Sequence, residues 1–402
     1  MNSIPQQTNG QVNTPPPAGT KKGIRTVAVM LSIVFCILTA GLGFYGFISD
    51  DREFSESENR VLSAAPALTW QSIINGSFMK DFESYLSDQF PLRDEAIRLK
   101  TFTDRLIGKR EQNGVFIGEE GFLFDSQTGY NKAETEGKTE AINRFCNENT
   151  GAKQLFVLSP NSTYIYSEHL PYDITLPDQK TQINKVYASL KAESLHKLDV
   201  AQILQNSKQN GDELFYKTDH HWTTKAAYSV FGAIAEKWQL DTSNINYQFF
   251  PVTTDFEGTL SGKAGVHDAK DTIEVCIPEN SAGSYVVNFE SQQKKTATLF
   301  DENKLTQKNK YEVFLGGNYD KVIITTTADT TNTLLIVKDS FANCMIPMLT
   351  PYFTKIVIVD PRYMTESIKA VMSETDFSHI LFLYNLNTFL EDTSIVSAFS
   401  EE

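Results

Sequence analysis

Short apolar runs alternate with longer amphipathic stretches along most of the chain after residue 124. Short, nearly continuous apolar runs predict buried strands, and apolar residues at helical spacing predict helices. Strands that alternate with helices favour a parallel sheet covered on both faces. The runs predict strands at 154–158, 321–325, 333–337, 355–359 and 379–383, and the stretches predict helices near 136–148, 179–195, 223–238 and 364–373.

Three other patterns frame this α/β region. Pro91 is well placed to begin a helix, and apolar residues recur at helical spacing from there to about Gly108. Two apolar runs around a glycine-bounded turn at 114–124 predict a β-hairpin. Between about 245 and 318, short runs of Thr, Tyr, Phe and Val are separated by Gly, Asn and Asp, which predicts a β-rich insertion.

The longest apolar run lies near the N-terminus. Residues 26–48 are uncharged and mostly apolar, and a helix of this length crosses a hydrocarbon core of roughly 30 Å. Residues 1–25 begin with an uncharged stretch rich in Pro, Gln, Asn and Thr, which predicts a disordered tail. The run ends without the small residues that precede signal-peptide cleavage, so we expect an uncleaved anchor.

Charge sets the expected orientation of this anchor. Basic side chains precede the apolar run and mostly acidic ones follow it, so the positive-inside rule predicts a cytoplasmic N-terminus and a single pass through the cell membrane. The rest of the chain would then be extracellular. We expect a stalk with amphipathic helices at 49–110 and an α/β domain at 111–402.

Composition excludes some function classes. The chain has 402 residues, 41% of them hydrophobic, which is enough for a substantial core. The net charge of -14 argues against a nucleic-acid partner, because phosphate binding requires basic patches. Of the four cysteines, one lies in the apolar N-terminal run, and the remaining three cannot all pair. A disulfide framework is therefore not expected, although one bridge would fit an oxidising compartment.

The motif that ends the strand at 333–337 carries a candidate nucleophile. Ligands bind beyond the carboxyl ends of strands in open parallel sheets, and Ser340 follows such a strand end. A helix starting near Phe341 would offer backbone N–H donors to an oxyanion. The alternative is that Ser340 and Asp339 only cap this helix. The whole motif reads Lys338-Asp339-Ser340-Phe341-Ala342-Asn343.

A second motif, Thr218-Asp219-His220-His221-Trp222, supplies an imidazole and a carboxylate. A serine hydroxyl needs an imidazole to take its proton and usually a carboxylate to orient that imidazole. A carboxylate two residues before a histidine can hydrogen-bond to it within one tight turn. We therefore assign His221 as the base and Asp219 as its partner. His220, Trp222 and Asp339 are expected to support the site.

Two questions remain open at this level. Asp219 and the two histidines are good zinc or manganese ligands, but the other histidines show no spacing that completes a metal motif, so we assign no metal and no cofactor. Asn385 follows the strand at 379–383 and could donate to an oxyanion or could shape the turn. Asn343 joins Asn385 as a candidate oxyanion or substrate-binding residue.

These motifs resemble those of the bacterial DHHW proteins, which are similar to alginate O-acetyltransferase proteins of the SGNH-hydrolase superfamily. The resemblance spans roughly residues 55–395. Its most specific part is the segment Tyr216 to Trp222. The other matching segments are Ser57-Glu58-Asn59-Arg60-Val61-Leu62, Asp88 to Asp94, Gly114 to Phe124, Phe256-Glu257-Gly258-Thr259-Leu260, Lys338 to Asn343 and Asp360-Pro361-Arg362-Tyr363.

The resemblance implies a circularly permuted, flavodoxin-like parallel sheet with a Ser-His-Asp triad at its carboxyl edge. It implies Ser340 as nucleophile, His221 as general base and then acid, and Asp219 as orienter. Asn385 would correspond loosely to the oxyanion asparagine of the superfamily. The implied activity is acetyl transfer to an extracellular cell-envelope polysaccharide, or hydrolysis of such an acetyl ester, with a multipass membrane O-acyltransferase as partner.

Two other functions stay open. A non-catalytic protein could use the same scaffold to bind glycan or to hold a membrane acyltransferase, since fold alone does not establish activity. The third alternative is a metal-dependent phosphoesterase, because Asp219-His220-His221 resembles the DHH signature of that class. Such enzymes are expected to have further aspartate motifs upstream, which this chain does not match.

Overall fold

The computed structural model describes residues 18–55, 60–279 and 284–400. Residues 1–17 of the predicted tail and positions 57–59 of one family motif lie outside the described residues. The helices are α1 Ala18–Ile48, α2 Trp70–Ile74, α3 Ser77–Asp88, α4 Arg93–Leu106, α5 Lys132–Glu148, α6 Ser162–Ile165, α7 Gln179–Ser189, α8 Val200–Gln209, α9 Thr224–Trp238, α10 Thr259–Ala264, α11 Ile346–Leu349, α12 Ile368–Ser373, α13 Leu386–Glu391 and α14 Ser394–Ala398.

The strands are β1 Phe54–Ser55, β2 Arg60–Val61, β3 Glu111–Gln112, β4 Val115–Ile117, β5 Leu123–Asp125, β6 Lys153–Ser159, β7 Leu195–Lys197, β8 Asn246–Phe256, β9 Asp271–Glu279, β10 Tyr285–Phe289, β11 Lys294–Thr296, β12 Lys321–Thr326, β13 Thr333–Lys338, β14 Lys355–Val359 and β15 His379–Asn385. Short 3₁₀ helices complete the structure, and the one that matters for the site is Ser340–Ala342. The strand bounds lie within two residues of the predicted ones because each apolar run is bounded by polar residues.

The chain forms two compact units. Of the described residues, 18–54 and 61–93 belong to one unit, and 55, 60, 94–279 and 284–400 belong to the other. In the first unit, α1 contains the segment Gly23–Gly46, which is long and apolar enough to cross a membrane. Signal sequences share this length and composition. The boundary after residue 93 falls inside the predicted stalk, so nearly all of α4 belongs to the larger unit.

The larger unit is built on an eight-stranded sheet with the order β11-β10-β12-β14-β13-β15-β6-β7. The strands β14, β13, β15, β6 and β7 are parallel to one another. The strands β12, β10 and β11 extend one side of the sheet in antiparallel pairing. The sheet is therefore mixed, whereas the alternating pattern predicted a parallel one, because an apolar run such as 321–325 carries no information about its direction.

The predicted β-rich insertion is divided between two sheets. The strands β8 and β9 form a separate antiparallel pair with two register shifts. The strands β10 and β11 instead join the edge of the central sheet. Short runs bounded by turn residues predicted strands in this region, but pairing partners are set by contacts distant in sequence.

Helices cover both faces of the central sheet. Leu334 and Ile336 of β13 pack in one core with Ala227 and Phe231 of α9. Leu335 and Val337 pack on the opposite face in a second core that contains Ile142 and Phe145 of α5. Successive side chains of a strand point to opposite faces, so a strand buried on both faces must be apolar throughout. This layering brings the carboxyl ends of β13, β14, β15 and β6 to one edge of the sheet.

Candidate active site

The loop that precedes α9 is attached to the carboxyl edge of the sheet by a buried tryptophan. Thr223 caps α9 by accepting a hydrogen bond from Ala226 N. Trp222 is fully buried, and its indole N–H donates to Phe341 O at 2.8 Å. Because Phe341 directly follows Ser340, this bond joins the two motifs that are distant in sequence. Through this hydrogen bond, Trp222 can support the site as predicted, by holding the two motifs together.

The two motifs meet in a continuous chain of hydrogen bonds. His221 Nε2 lies 2.8 Å from Ser340 Oγ, and His221 Nδ1 lies 2.6 Å from Asp219 Oδ1. The His221 backbone N–H also donates to Asp219 Oδ1 at 3.0 Å. With the Nδ1 proton directed to the carboxylate, Nε2 is left as the acceptor for the serine proton. The structure therefore brings together the three residues that were assigned from sequence.

The second oxygen of Asp219 is held by the start of α10. Asp219 Oδ2 accepts from Thr259 N at 2.9 Å and from Thr259 Oγ1 at 3.0 Å. A Cβ atom on Gly258 would lie 2.3 Å from Asp219 Cβ, so only glycine fits this position. Sequence reasoning gave Gly258 and Thr259 no role, although both lie in one of the family-like segments. The only signal for them in the sequence was this family-like segment, because neither residue carries a group that indicates acid-base chemistry.

The electrostatic environment keeps His221 neutral and Asp219 ionised near neutral pH. Burial and the neighbouring His220 lower the pKa of His221 to about 4, against the opposing effect of Asp219. Burial alone would raise the pKa of Asp219, but His220, His221 and the hydrogen bonds to its oxygens hold the pKa below its usual value. A neutral imidazole beside an ionised carboxylate is the protonation state in which a general base starts its cycle.

Ser340 lies in a tight turn. Asp339 is fully buried, and its Oδ1 accepts from Phe341 N at 2.9 Å while its Oδ2 accepts from Asn385 N at 2.7 Å. The turn continues as the single 3₁₀ helix Ser340–Ala342 and not as the α-helix expected from sequence. Asp339 therefore caps the turn, as the alternative interpretation required, while Ser340 itself remains partly exposed beside His221.

Tyr311 was not identified from the sequence. Its ring stacks on the His221 imidazole with centroids 3.8 Å apart and planes 12° apart. Its hydroxyl donates to Ser340 O at 3.3 Å. Tyr311 thus contacts the base and the backbone of the candidate nucleophile at once. It lies in the β-rich region without a recognisable motif, so only the tertiary structure reveals it.

The remaining predicted residues lie near the site but are engaged. Asn385 Oδ1 accepts from Asn387 N to cap α13, and Asn385 Nδ2 donates to Ser159 O at 3.4 Å. Asn343 Nδ2 lies 3.2 Å from Asn318 Oδ1. His220 Nδ1 lies 3.0 Å from Thr259 Oγ1, and its ring contacts that of His221. The oxyanion role of the two asparagines stays a prediction.

Asp219, His220 and His221 offer ligand atoms that lie within 4.8 Å of one another, the spacing of a metal site. Each of these residues already has a side-chain partner in the hydrogen-bond chain or at Thr259. A metal bound by all three would have to displace the His221 contacts. Cys344 provides no additional nucleophile beside Ser340, because it is buried and burial raises its pKa to about 12.

Comparison with known proteins places this geometry in a family. A family profile described as "SGNH hydrolase-like domain, acetyltransferase AlgX" matches residues 115–315, which is half of the chain. The matched range contains Asp219 and His221 and ends before Ser340. The probable alginate O-acetylase AlgJ of Pseudomonas syringae pathovar tomato is 25% identical over 181 residues, 42% of this chain and 46% of that protein. The chain thus spans about half the length of the curated relatives it matches.

Solved structures agree on the fold. A DHHW family protein from Eubacterium siraeum superposes with a TM-score of 0.59 at 19% identity, covering 71% of this chain and 96% of that one. Bacillus cereus PatB1 superposes with a TM-score of 0.56 at 17% identity, covering 68% of this chain and 97% of that one. The resemblance to DHHW proteins and the SGNH-like α/β fold predicted from sequence are both confirmed. Circular permutation stays a prediction.

Proposed function

The chain belongs to the family of SGNH hydrolase-like acetyltransferase AlgX domains, and from this premise we propose that it is a serine O-acetyltransferase that modifies an extracellular polysaccharide. The observation that carries the proposal is the hydrogen-bond chain from Asp219 through His221 to Ser340. Two names support the substrate class: relatives are called probable alginate O-acetylases, and the family profile is named for an acetyltransferase.

In the proposed first step, Ser340 Oγ attacks the acetyl carbonyl carbon and its proton moves to His221 Nε2. The carbonyl π electrons move to the oxygen, and a tetrahedral oxyanion forms. Collapse of this intermediate breaks the bond to the donor oxygen, which takes the proton from His221. Asp219 holds the imidazole orientation and stabilises its protonated form. Acetyl-Ser340 and the free donor alcohol result.

In the second step, an acceptor hydroxyl gives its proton to His221 and attacks acetyl-Ser340. The new ester forms on the sugar, and Ser340 regains its proton from His221. Water as acceptor would give acetate, so an acetylesterase uses the same three residues. Exclusion of water by a bound glycan would separate the two reactions.

We extend the proposal to the organisation of the chain. The Gly23–Gly46 segment would anchor the protein in the cell membrane with its N-terminus in the cytoplasm, as the flanking charges favour. The tail at 1–25 and the stalk at 49–110 would then flank this anchor, and residues 111–402 would form the catalytic domain. A multipass membrane O-acyltransferase would supply acetyl groups from the cytoplasmic side.

The test is intact-protein mass after incubation of the detergent-solubilised full chain with an activated acetyl ester. We expect one acetyl adduct that is absent in Ser340→Ala and unchanged by a chelator. Adding alginate oligosaccharides should discharge the adduct onto the glycan, whereas discharge to free acetate alone would indicate an esterase. A well-folded protein that forms no adduct would favour the non-catalytic scaffold, and an adduct lost on chelation would favour a metal site.

A further inference from the structure

Two chain segments flank the Ser340 turn at the carboxyl edge of the sheet, one after each strand that neighbours β13. Val337 pairs with Val359 of β14 on one side, and Lys338 pairs with Leu383 of β15 on the other. Both neighbours are parallel to β13. The loop after β14 begins with Asp360-Pro361-Arg362 and turns at once, since Tyr363 N donates to Asp360 O at 3.0 Å. β15 ends at Asn385, which also caps α13.

Asn385 is buried, and most of its polar groups are engaged within the protein, although one N–H of Nδ2 has no acceptor in the described part of the chain. Asn385 is 3% exposed, its Oδ1 caps α13 and its Nδ2 donates to Ser159 O. Its backbone N–H is taken by Asp339. The residue therefore shapes the turn and ties it to Ser340 from one side.

The loop on the other side holds a guanidinium in a fixed orientation. Arg362 Nε donates to Asp360 Oδ1 at 2.9 Å, and Nη2 donates to Oδ2 at 2.7 Å. Asp360 is fully buried and also lies 3.5 Å from Lys338 Nζ. A bidentate pair of this kind fixes the plane of the guanidinium group. The Arg362 side chain remains 28% exposed, so it reaches the surface beside the site.

One end of this guanidinium group is unused. Among the described residues, the Arg362 side-chain bonds are those of Nε and Nη2 to Asp360, which leaves the two N–H groups of Nη1 without an acceptor. The Ser340 backbone N–H likewise has no acceptor in the described part of the chain. A charged side-chain donor and a backbone donor thus lie just beyond the ends of two neighbouring parallel strands, β14 and β13.

On the basis of the proposed serine mechanism, we propose that Arg362 Nη1 and the Ser340 backbone N–H are the donors to the oxyanion of the tetrahedral intermediate. The negative charge that forms on the acetyl oxygen is then offset by a fixed guanidinium in a partly buried site, where such a contact is strong. Arg362 would be a catalytic residue for this step. Asp360 would be a positioning residue that acts through Arg362.

Electrostatics around the site support this placement. Burial and His220 lower the pKa of His221, and the positive charge of Arg362 contributes in the same direction. Burial raises the pKa of Asp339, and Arg362 opposes that shift. The Arg362 charge therefore acts on both residues that surround Ser340.

The experiment compares Arg362→Gln and Arg362→Lys with the full-length wild-type protein, using hydrolysis of 4-nitrophenyl acetate and inhibition by a boronic acid. A boronate accepts Ser340 Oγ at boron and becomes an anionic tetrahedral adduct that mimics the intermediate. We expect kcat to fall by about 10²-fold to 10³-fold in Arg362→Gln, with KM nearly unchanged and boronate affinity reduced by a similar factor. Arg362→Lys keeps the charge and should lose less.

Arg144→Gln is the matched control. Arg144 is exposed on α5, which covers the face of the central sheet opposite to α9. Thermal unfolding checks that each variant folds. A kcat for Arg362→Gln within threefold of wild type, with boronate affinity retained, would overturn the assignment. So would a rise in KM for an oligosaccharide acceptor alone, since that would make Arg362 a glycan contact.

Ser340→Ala runs alongside to separate the two proposals. Turnover that survives in Ser340→Ala would overturn the serine mechanism and the oxyanion assignment together. Turnover lost in Ser340→Ala but retained in Arg362→Gln would overturn the assignment of Arg362 alone.

The pH dependence of kcat/KM gives an additional readout, through the apparent pKa of its acid limb, the range in which activity is lost as pH falls. Because Arg362 lowers the pKa of His221, Arg362→Gln should move this limb to higher pH and Arg362→Lys should not.

Discussion

The site consists of two halves that are built in different ways. The loop with Asp219 and His221 contains its key contact within three residues, and α10 supports it through Thr259. The turn with Ser340 has the Asp339 cap as its local contact, and Asn385, Tyr311 and Trp222 position it from three distant segments. The base half is therefore a local motif, whereas the nucleophile half is a product of the sheet edge. Substitutions should affect the two halves differently.

The largest effect is expected from removing the shared contact between the halves. In His221→Ala, Ser340 loses the acceptor for its proton, so we expect kcat for acetyl-ester hydrolysis to fall by about 10⁶-fold. Ser340→Ala should lose a similar amount, and the double variant should lose little more, because the two residues act as a unit. Steady-state kinetics of the three variants tests this. Additive losses would show that the halves work independently.

The next largest effect concerns the base half alone. Asp219→Asn keeps the shape of the side chain but offers an N–H where the His221 Nδ1 proton is directed, which favours the wrong tautomer. We expect kcat to fall by about 10⁴-fold, while the fold and the Ser340 turn remain intact. The check is a kinetic measurement together with a thermal unfolding curve. A fall below tenfold would mean that Asp219 does not orient the imidazole.

A smaller effect is expected from crowding the support of Asp219. In Gly258→Ala, the added Cβ would overlap Asp219 and disturb its bonds to Thr259, which should cost about 1–3 kcal/mol of unfolding free energy and lower kcat. The matched control is Gly232→Ala inside α9, where no atom lies within 4 Å of the added Cβ. This control should stabilise the helix by about 0.5–1 kcal/mol. Denaturant unfolding distinguishes them, and equal effects would contradict the proposed support.

The smallest expected effect is a shift in pH dependence. The pKa of His221 is lowered to about 4, so kcat/KM should rise as pH increases through about 4 and stay level toward neutral pH. His220 contributes to this lowering, so His220→Gln should move the acid limb to higher pH. The control is His196→Gln, because His196 is an exposed histidine on β7. An unshifted limb in His220→Gln would show that His220 does not act on the base.

The comparison also shows how far sequence reasoning reached. The strands at 333–337 and 379–383 were predicted almost to the residue, because short, nearly continuous apolar runs bounded by polar residues are typical of buried strands. Asp219, His221 and Ser340 were chosen because few residue types activate a hydroxyl. The direction of β12 and the division of the β-rich region between two sheets were not predictable. Strand pairing depends on partners distant in the chain, and hydrophobic pattern does not encode it.

The same limit applies within the site. Tyr311, Gly258 and Thr259 contact the candidate triad directly, yet none carries a group that signals acid-base chemistry. The turn at Ser340–Ala342 was expected to be an α-helix, because the sequence shows a capping pattern but not the packing that stops the helix.

The sequence by itself determined the order of the elements, the apolar N-terminal segment and the identity of the three groups in the hydrogen-bond chain. These follow from local properties, namely hydrophobic periodicity, charge and side-chain chemistry. Only the tertiary structure decided which side chain next to Ser340 has a free donor. Asn385 ends β15 and Arg362 follows β14, the two strands that flank β13, and the sequence favoured the asparagine. Asn387 and the distant Ser159 engage the buried Asn385 side chain, whereas the Asp360 pair leaves Nη1 of the partly exposed Arg362 available.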